Sequence, residues 1–207
     1  VKAQTANGHQ QTESQFIGPQ LVDIFCGYGH SQGMSTALQP KPRIIGQKSR
    51  ICIVASKYNE QFTDALVENA VEALGELVPS ARIDLIRVPG AFEIPVAVAN
   101  ILEREGVDCV IALGLVIRGD TQHADLIMGS VTDSLQNLAV KHLVPVIHEV
   151  LLVENEKQAY ARCIDAGMNR GREAAKAAAG IMDAFSELDK STSKPTRNLF
   201  TKSDAKS

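Results

Sequence analysis

Four times between residues 50 and 185, a short apolar run is followed by a stretch with helical spacing. "RICIVAS" (50–56) is apolar and rich in β-branched residues. Phe62, Leu66, Ala70, Leu74 and Leu77 follow it at intervals of three or four, the period of one helix face. "ARIDLIRV" (81–88) alternates like a strand, and Pro95 suits the first turn of a second helix carrying Val98, Ile101 and Leu102. "VDCVIALG" (107–114) is the most apolar strand, and Ile127, Val131, Leu135 and Leu138 mark the helix after it. "VPVIHEVLLV" (144–153) is the fourth strand; a short helix near 155–165 and a longer one from about 170 to 187 close the pattern. This repetition predicts an α/β fold, a parallel sheet with helices on both faces joined by right-handed crossovers.

A parallel sheet of this kind binds ligands beyond the carboxyl ends of its strands. The strand-to-helix loops should therefore differ from the helix-to-strand loops. They do. "LVPSA", "EREGV" and "KHLVP" lead into strands and carry plain connecting chemistry. "SKYNEQF", "PGAFEIP", "LGLVIRGDTQH" and "HEVLLVENE" lead out of strands. These hold Tyr58 beside Asn59, Phe92 beside Glu93, His123, and His148 with glutamates. "GDT" (119–121) opens the third helix, where free N–H groups favour an anion, unless Asp120 or Thr121 serves as an ordinary N-cap. Arg170 and Arg172 sit at a helix start, where cations oppose the helix dipole. They are either solvated or, with Arg162 nearby, face an anion, since arginine binds phosphate in a bidentate fashion.

Composition removes several function classes. Lys and Arg number 21 against 24 Asp and Glu, a formal charge of -3, which argues against a nucleic-acid partner. No apolar run approaches the roughly 18–20 residues that span a bilayer. Cys26, Cys52, Cys109 and Cys163 are far apart without a CxxC, so neither a zinc site nor a redox pair is expected. Cys52 and Cys109 read as small buried hydrophobes, and the pattern suits a reducing compartment. "GYGHSQG" (27–33) follows a strand-like "LVDIFC", but its glycine spacing is GxGxxxG, no amphipathic helix comes after it, and Pro40 and Pro42 follow soon, so a dinucleotide loop is not expected here. Residues 1–49 are rich in Gln, Gly, Ser and Thr, with only Glu13 and Asp23 as acids. They read as a flexible arm, a processed targeting segment or a translation artefact, without the marks of a clear transit or signal peptide. The domain is expected over 50–187 and a disordered polar tail over 188–207.

"IVASKYNEQFTDALVENAVEAL", "IRVPGAFEIP", "VIALGLVIRGDTQH" and "VPVI" followed by EN, QA and R resemble the 6,7-dimethyl-8-ribityllumazine synthase family, in order and spacing, over about residues 50–185. The resemblance implies a flavodoxin-like three-layer α/β/α sandwich with a four-stranded parallel sheet. It implies a transferase of riboflavin biosynthesis. That enzyme condenses 5-amino-6-(D-ribitylamino)uracil with 3,4-dihydroxy-2-butanone 4-phosphate, losing phosphate and water. No metal or other cofactor is implied. The implied assembly is a homopentamer, with decamers and sixty-subunit cages as larger forms. The implied location is cytoplasmic, or organellar if residues 1–49 are a targeting segment. Carried over by position, Tyr58 stacks on the pyrimidine; Ala91, Phe92 and Glu93 hold the ribityl chain and ring edge; Leu115, Val116 and Ile117 wall the pyrimidine pocket. Asp120 and Thr121 form the phosphate loop, Arg162 clamps the phosphate, and His123 transfers protons, work that suits an imidazole near neutral pH.

Two departures stand out. The family usually has Phe–Gly after "VPVI" and a threonine pair two residues on; this chain has His148, Glu149, Leu152 and Val153. The usual "AGNKG" appears as "AGMNRG", placing Arg170 where relatives carry lysine. In relatives the phenylalanine packs against the pyrimidine from the neighbouring subunit. His148 either stacks in its place and adds a titrating group, or marks a changed ligand. The alternatives to the enzyme are therefore a weakly active paralogue that binds flavin or lumazine or forms a shell, and a doubly wound module that binds a phosphate ligand.

Overall fold

The computed structural model describes residues 49–104 and 106–192. The elements alternate as expected: β1 (Arg50–Ser56), α1 (Glu60–Leu77), β2 (Arg82–Val88), α2 (Ile94–Leu102), β3 (Cys109–Ile117), α3 (His123–His142), β4 (Val146–Val153), α4 (Glu156–Cys163) and α5 (Arg170–Thr192). A 3₁₀ turn, Ala91–Glu93, precedes α2, with Pro95 in that helix's first turn. The sheet is wholly parallel, in the order β2-β1-β3-β4. The chain steps outward to β2, returns past β1 to β3, and continues to β4. That reversal places a crevice between β1 and β3 at their carboxyl ends.

The two central strands are buried on both faces, and their sequences are accordingly continuous apolar runs rather than alternating ones. On one face Ile51, Ile53, Ile111, Leu113 and Leu115 pack with Phe62, Leu66, Leu74, Ala174, Ala175 and Ala178 of α1 and α5. On the other, Val54, Val110 and Ala112 meet Ile94 and Val98 of α2 and Val131 and Leu135 of α3. Alanines let α5 lie close to α1, and at Gly171 a Cβ would collide with the Leu66 carbonyl oxygen. Cys52, Cys109 and Cys163 are buried in these layers, as small hydrophobes. Desolvation pushes the Cys109 and Cys163 thiols up to about 12, so neither is a nucleophile at neutral pH.

Four details differ from the sequence reading. β3 runs on to Ile117, so Leu115, Val116 and Ile117 are strand residues paired with Leu151, Leu152 and Val153, not loop. β4 includes His148 and Glu149, as the strand expected over 144–153 does, opposite Ala112 and Leu113 and well short of its carboxyl end; what differs is their place in the strand-to-helix loop "HEVLLVENE". A strand buried against a partner extends as far as the partner does, whatever loop-like residues follow. Helix α5 continues past residue 187 to Thr192, and 193–207 lie outside the described residues, as do 1–48 with Cys26 and the 27–33 glycine loop. Finally, neither Asp120 nor Thr121 caps α3: the N-cap is Gln122, without a side-chain hydrogen bond. Among the described residues no helix is long and apolar enough to cross a membrane.

Candidate active site

The β1–α1 connection is short and tightly tied. Lys57 N–H donates to the Val88 carbonyl (2.8 Å) and Tyr58 N–H to the Pro89 carbonyl (3.0 Å), so the segment is stitched to the end of β2. Asn59 then takes a left-handed conformation (φ 58°, ψ 45°), which asparagine tolerates better than most residues. Its carbonyl accepts from Phe62 and Thr63, starting α1, while its Nδ2 donates to the Leu115 carbonyl (2.9 Å) on β3. One side chain thus fixes the distance between the first loop and the third strand. The phenol of Tyr58 is left 73% exposed, an aromatic with no core role.

After β2, Gly90 N–H donates to Glu93 Oε2 (2.9 Å), which folds the Ala91–Glu93 turn over the sheet edge. Ala91 is buried beneath it, and Phe92 projects, 59% exposed. Across the crevice, His123 is the first residue of α3, and its N–H reaches Thr121 Oγ1 only at 3.5 Å. Leu126 is the first residue of this helix to donate within it, to the Gln122 carbonyl (3.2 Å). The N–H groups of the preceding turn stand outside the helical ladder, at the positive end of the dipole.

These three segments enclose a cavity of ≈ 590 Å³ at the carboxyl edge of the sheet. It is lined by Tyr58, Ala91, Phe92, Glu93, Leu115, Val116, Ile117, Thr121 and His123, nine of the positions singled out from sequence. Asn59, Gly90, Gly119, Ala124 and Ile127 complete the lining. Sequence reasoning noted Asn59 only as a polar neighbour of Tyr58; an asparagine directly ahead of a helical run, where a left-handed residue is needed, was the available signal. Aromatic and aliphatic walls with a few convergent polar groups are the usual make-up of a small-molecule site. Among the described residues no cluster of three or more His, Cys, Asp or Glu is placed to hold a metal ion.

Three of the sequence-predicted positions are not in this cavity. Asp120 is exposed beside it but does not line it. Arg162 is exposed at the end of α4 and makes no ion pair among the described residues. His148 faces α3, where its Nε2 lies 3.0 Å from Thr132 Oγ1. The other two arginines face protein carboxylates rather than an open anion site. Arg170 forks onto Glu149 (3.0 and 3.1 Å). Arg172 bonds Glu72 and Asn69 on α1. The Glu149–Arg170 fork joins the two departures from the family pattern in one ion pair across β4 and α5. Burial pushes the Glu149 carboxyl above the usual carboxylate range, with Arg170 pulling against it.

The class is therefore a flavodoxin-like α/β protein with an open cavity at the carboxyl edge of its parallel sheet. The model of the 6,7-dimethyl-8-ribityllumazine synthase family matches residues 48–186. Proteins named 6,7-dimethyl-8-ribityllumazine synthase from three bacteria are similar. That of Methylobacterium radiotolerans is 39% identical over 153 residues, covering 74% of this chain and 91% of its own. That of Gemmatimonas aurantiaca is 42% identical over 141 residues, covering 68% and 86%. That of Methylibium petroleiphilum is 36% identical over 146 residues, covering 70% and 89%. The chain belongs to the 6,7-dimethyl-8-ribityllumazine synthase family.

Proposed function

We propose that this chain condenses 5-amino-6-(D-ribitylamino)uracil with 3,4-dihydroxy-2-butanone 4-phosphate to 6,7-dimethyl-8-ribityllumazine, releasing phosphate and water, as a transferase of riboflavin biosynthesis. The carrying observation is that one cavity gathers an exposed aromatic (Tyr58), a carboxylate (Glu93), a hydroxyl (Thr121) and an imidazole (His123) around the end of β3. In this reading Tyr58 stacks on the pyrimidine, and the strand end Leu115–Ile117 walls the ring. Phe92 and Glu93 hold the ribityl chain. The turn Gly119–Thr121 receives the phosphate with the free N–H groups of α3, and Asp120 shapes that turn rather than touching the anion. His123, between the two substrate positions, moves the protons that Schiff-base formation, phosphate departure and ring closure require. Holding two substrates in register supplies much of the acceleration.

Arg162 and His148 enter this reading from a neighbouring subunit. What supports that is their position: both lie away from the cavity of their own chain, and the cavity is open. A head-to-tail contact repeated around an axis closes into a ring, here proposed as a pentamer with a site at each contact. The activity is assigned to residues 50–187, in a cytoplasmic protein. Incubating the purified chain with both substrates and following product fluorescence tests the reaction; no product from an intact assembly rejects it.

A further inference from the structure

Arg118 stands between the end of β3 and the Gly119–Thr121 turn and has no part in the proposed reaction. Arg118 leaves β3 one residue after Ile117, and its N–H extends the ladder to the Val153 carbonyl (2.8 Å). Its guanidinium then spans two carboxylates. Nη1 meets Asp125 Oδ2 at 2.7 Å, and Nε meets Glu154 Oε1 at 3.1 Å. Asp125 is in the first turn of α3, two residues after His123; Glu154 directly follows β4. All three side chains are partly exposed, so the pairs add little to stability. Their placement is more telling. A carboxylate in the first turn of a helix ordinarily turns back to the free N–H groups and the positive dipole end. Asp125 is instead held by Arg118, and Gln122, the N-cap, offers no side-chain bond. The anion-facing end of α3 is thus left open although an acid competes for it in the same turn.

We propose that Arg118 is a positioning residue: it draws the Asp125 and Glu154 carboxylates off the Gly119–Thr121 turn, keeping that turn free to take a phosphate and fixing where α3, and so His123, begins. This rests on the reading of Gly119–Thr121 as the phosphate turn. Without Arg118, Asp125 folds back onto the free N–H groups and occupies the place of the substrate anion. The loss is then electrostatic and reversible by removing the acid, which a merely structural role would not be.

The test uses the assembled full-length protein and inorganic phosphate, titrated calorimetrically, alongside kinetics with both substrates. R118A is expected to weaken phosphate binding and raise KM for the butanone phosphate by about fivefold to tenfold, the scale of one unscreened charge a few ångströms from an anion at the surface. KM for the ribitylaminouracil is expected to stay within about twofold, because uniform binding of the ring is untouched. R118A/D125N is expected to recover most of the phosphate affinity, and raised salt to narrow the gap between R118A and wild type. Unchanged phosphate binding in R118A, or no recovery in R118A/D125N, overturns the proposal. Should R118A misfold, D125N/E154Q with Arg118 intact serves: it is expected to bind phosphate at least as tightly as wild type, and weaker binding counts against the proposal. A wild type that binds phosphate through Arg118 yet makes no lumazine rejects the enzymatic reading alone. A wild type that binds no phosphate rejects this inference.

Discussion

The Glu149–Arg170 fork gives the most quantitative handle on the fold. The Glu149 side chain is 10% exposed and the Arg170 side chain 43%. Replacing Arg170 by alanine leaves a nearly buried carboxylate without two hydrogen bonds of 3.0 and 3.1 Å. Stranding one member of a fully buried pair costs about 3–5 kcal/mol. Here the guanidinium is partly solvated, so water screens the pair and about 2 kcal/mol is the better figure, within the range for hydrogen bonds to charged groups. For a chain of this size that lowers the Tm by roughly 4–8 °C. The pH dependence separates this cause from lost packing. Burial already raises the folded-state value of Glu149, and Arg170 is the largest influence lowering it. A carboxyl raised on folding contributes stability below its unfolded value of about 4.3, and loses it as pH rises through the folded value. In R170A the folded value climbs further, so the deficit against wild type is largest near pH 7 and shrinks toward pH 4.5. Thermal unfolding of both proteins across that range, at matched protomer concentration, measures it. A deficit of equal size at both ends, or none at pH 7, refutes the reasoning; E149Q/R170A should lose the pH dependence.

H123A is expected to lower kcat by about 10²–10⁴ with little change in either KM, since proton transfer contributes on that scale; steady-state kinetics with both substrates reads it. R162A is expected to raise KM for the butanone phosphate on the order of tenfold, from loss of a charge-assisted contact, and an unchanged value would show the anion site to be misassigned. Mixing H123A and R162A chains under conditions that exchange subunits, assayed with butanone phosphate well below its KM so that each variant alone is impaired, should restore activity above the sum of the two, because some contacts then pair two intact halves. No recovery in rings verified as mixed, or full activity in an isolated subunit, would disprove the shared site.

The alternation of elements was legible because each answers to short-range patterning. The 3.6-residue spacing in α1 and the unbroken apolar runs in β1 and β3 are local signals, and the observed sheet order follows the fold class. The ends were harder. Leu115–Ile117 read as loop because glycine flanks them at 114 and 119, yet pairing with Leu151–Val153 carries the strand on. Gly114 is in the strand for a packing reason invisible locally: a Cβ there would press on Val150, Ile94 and Ser56.

Site residues divide along the same line. Asking which strand-to-helix loops carry chemistry found Tyr58, Phe92, Glu93, Thr121 and His123; the family resemblance added Ala91 and Leu115–Ile117, and these nine meet in one cavity. The charged residues could not be sorted that way, because what an arginine does depends on a partner far along the chain. Arg170, Arg172 and Arg162 lie within ten residues of one another and look alike in sequence. Arg170 finds Glu149, 21 residues away, and Arg172 finds Glu72, 100 residues away. Arg162 makes no ion pair among the described residues, although its charge is felt by Glu149. The two departures near "VPVI" and "AGMNRG" follow the same logic: taken singly, Glu149 puts an acid into a buried strand and Arg170 a cation at a helix start, each unfavourable. Taken together they neutralise each other on the α5 side of β4, while His148 turns to the opposite face and Thr132. Because neighbouring strand residues point to opposite faces, an acid at 149 can be accommodated without disturbing what residue 148 presents.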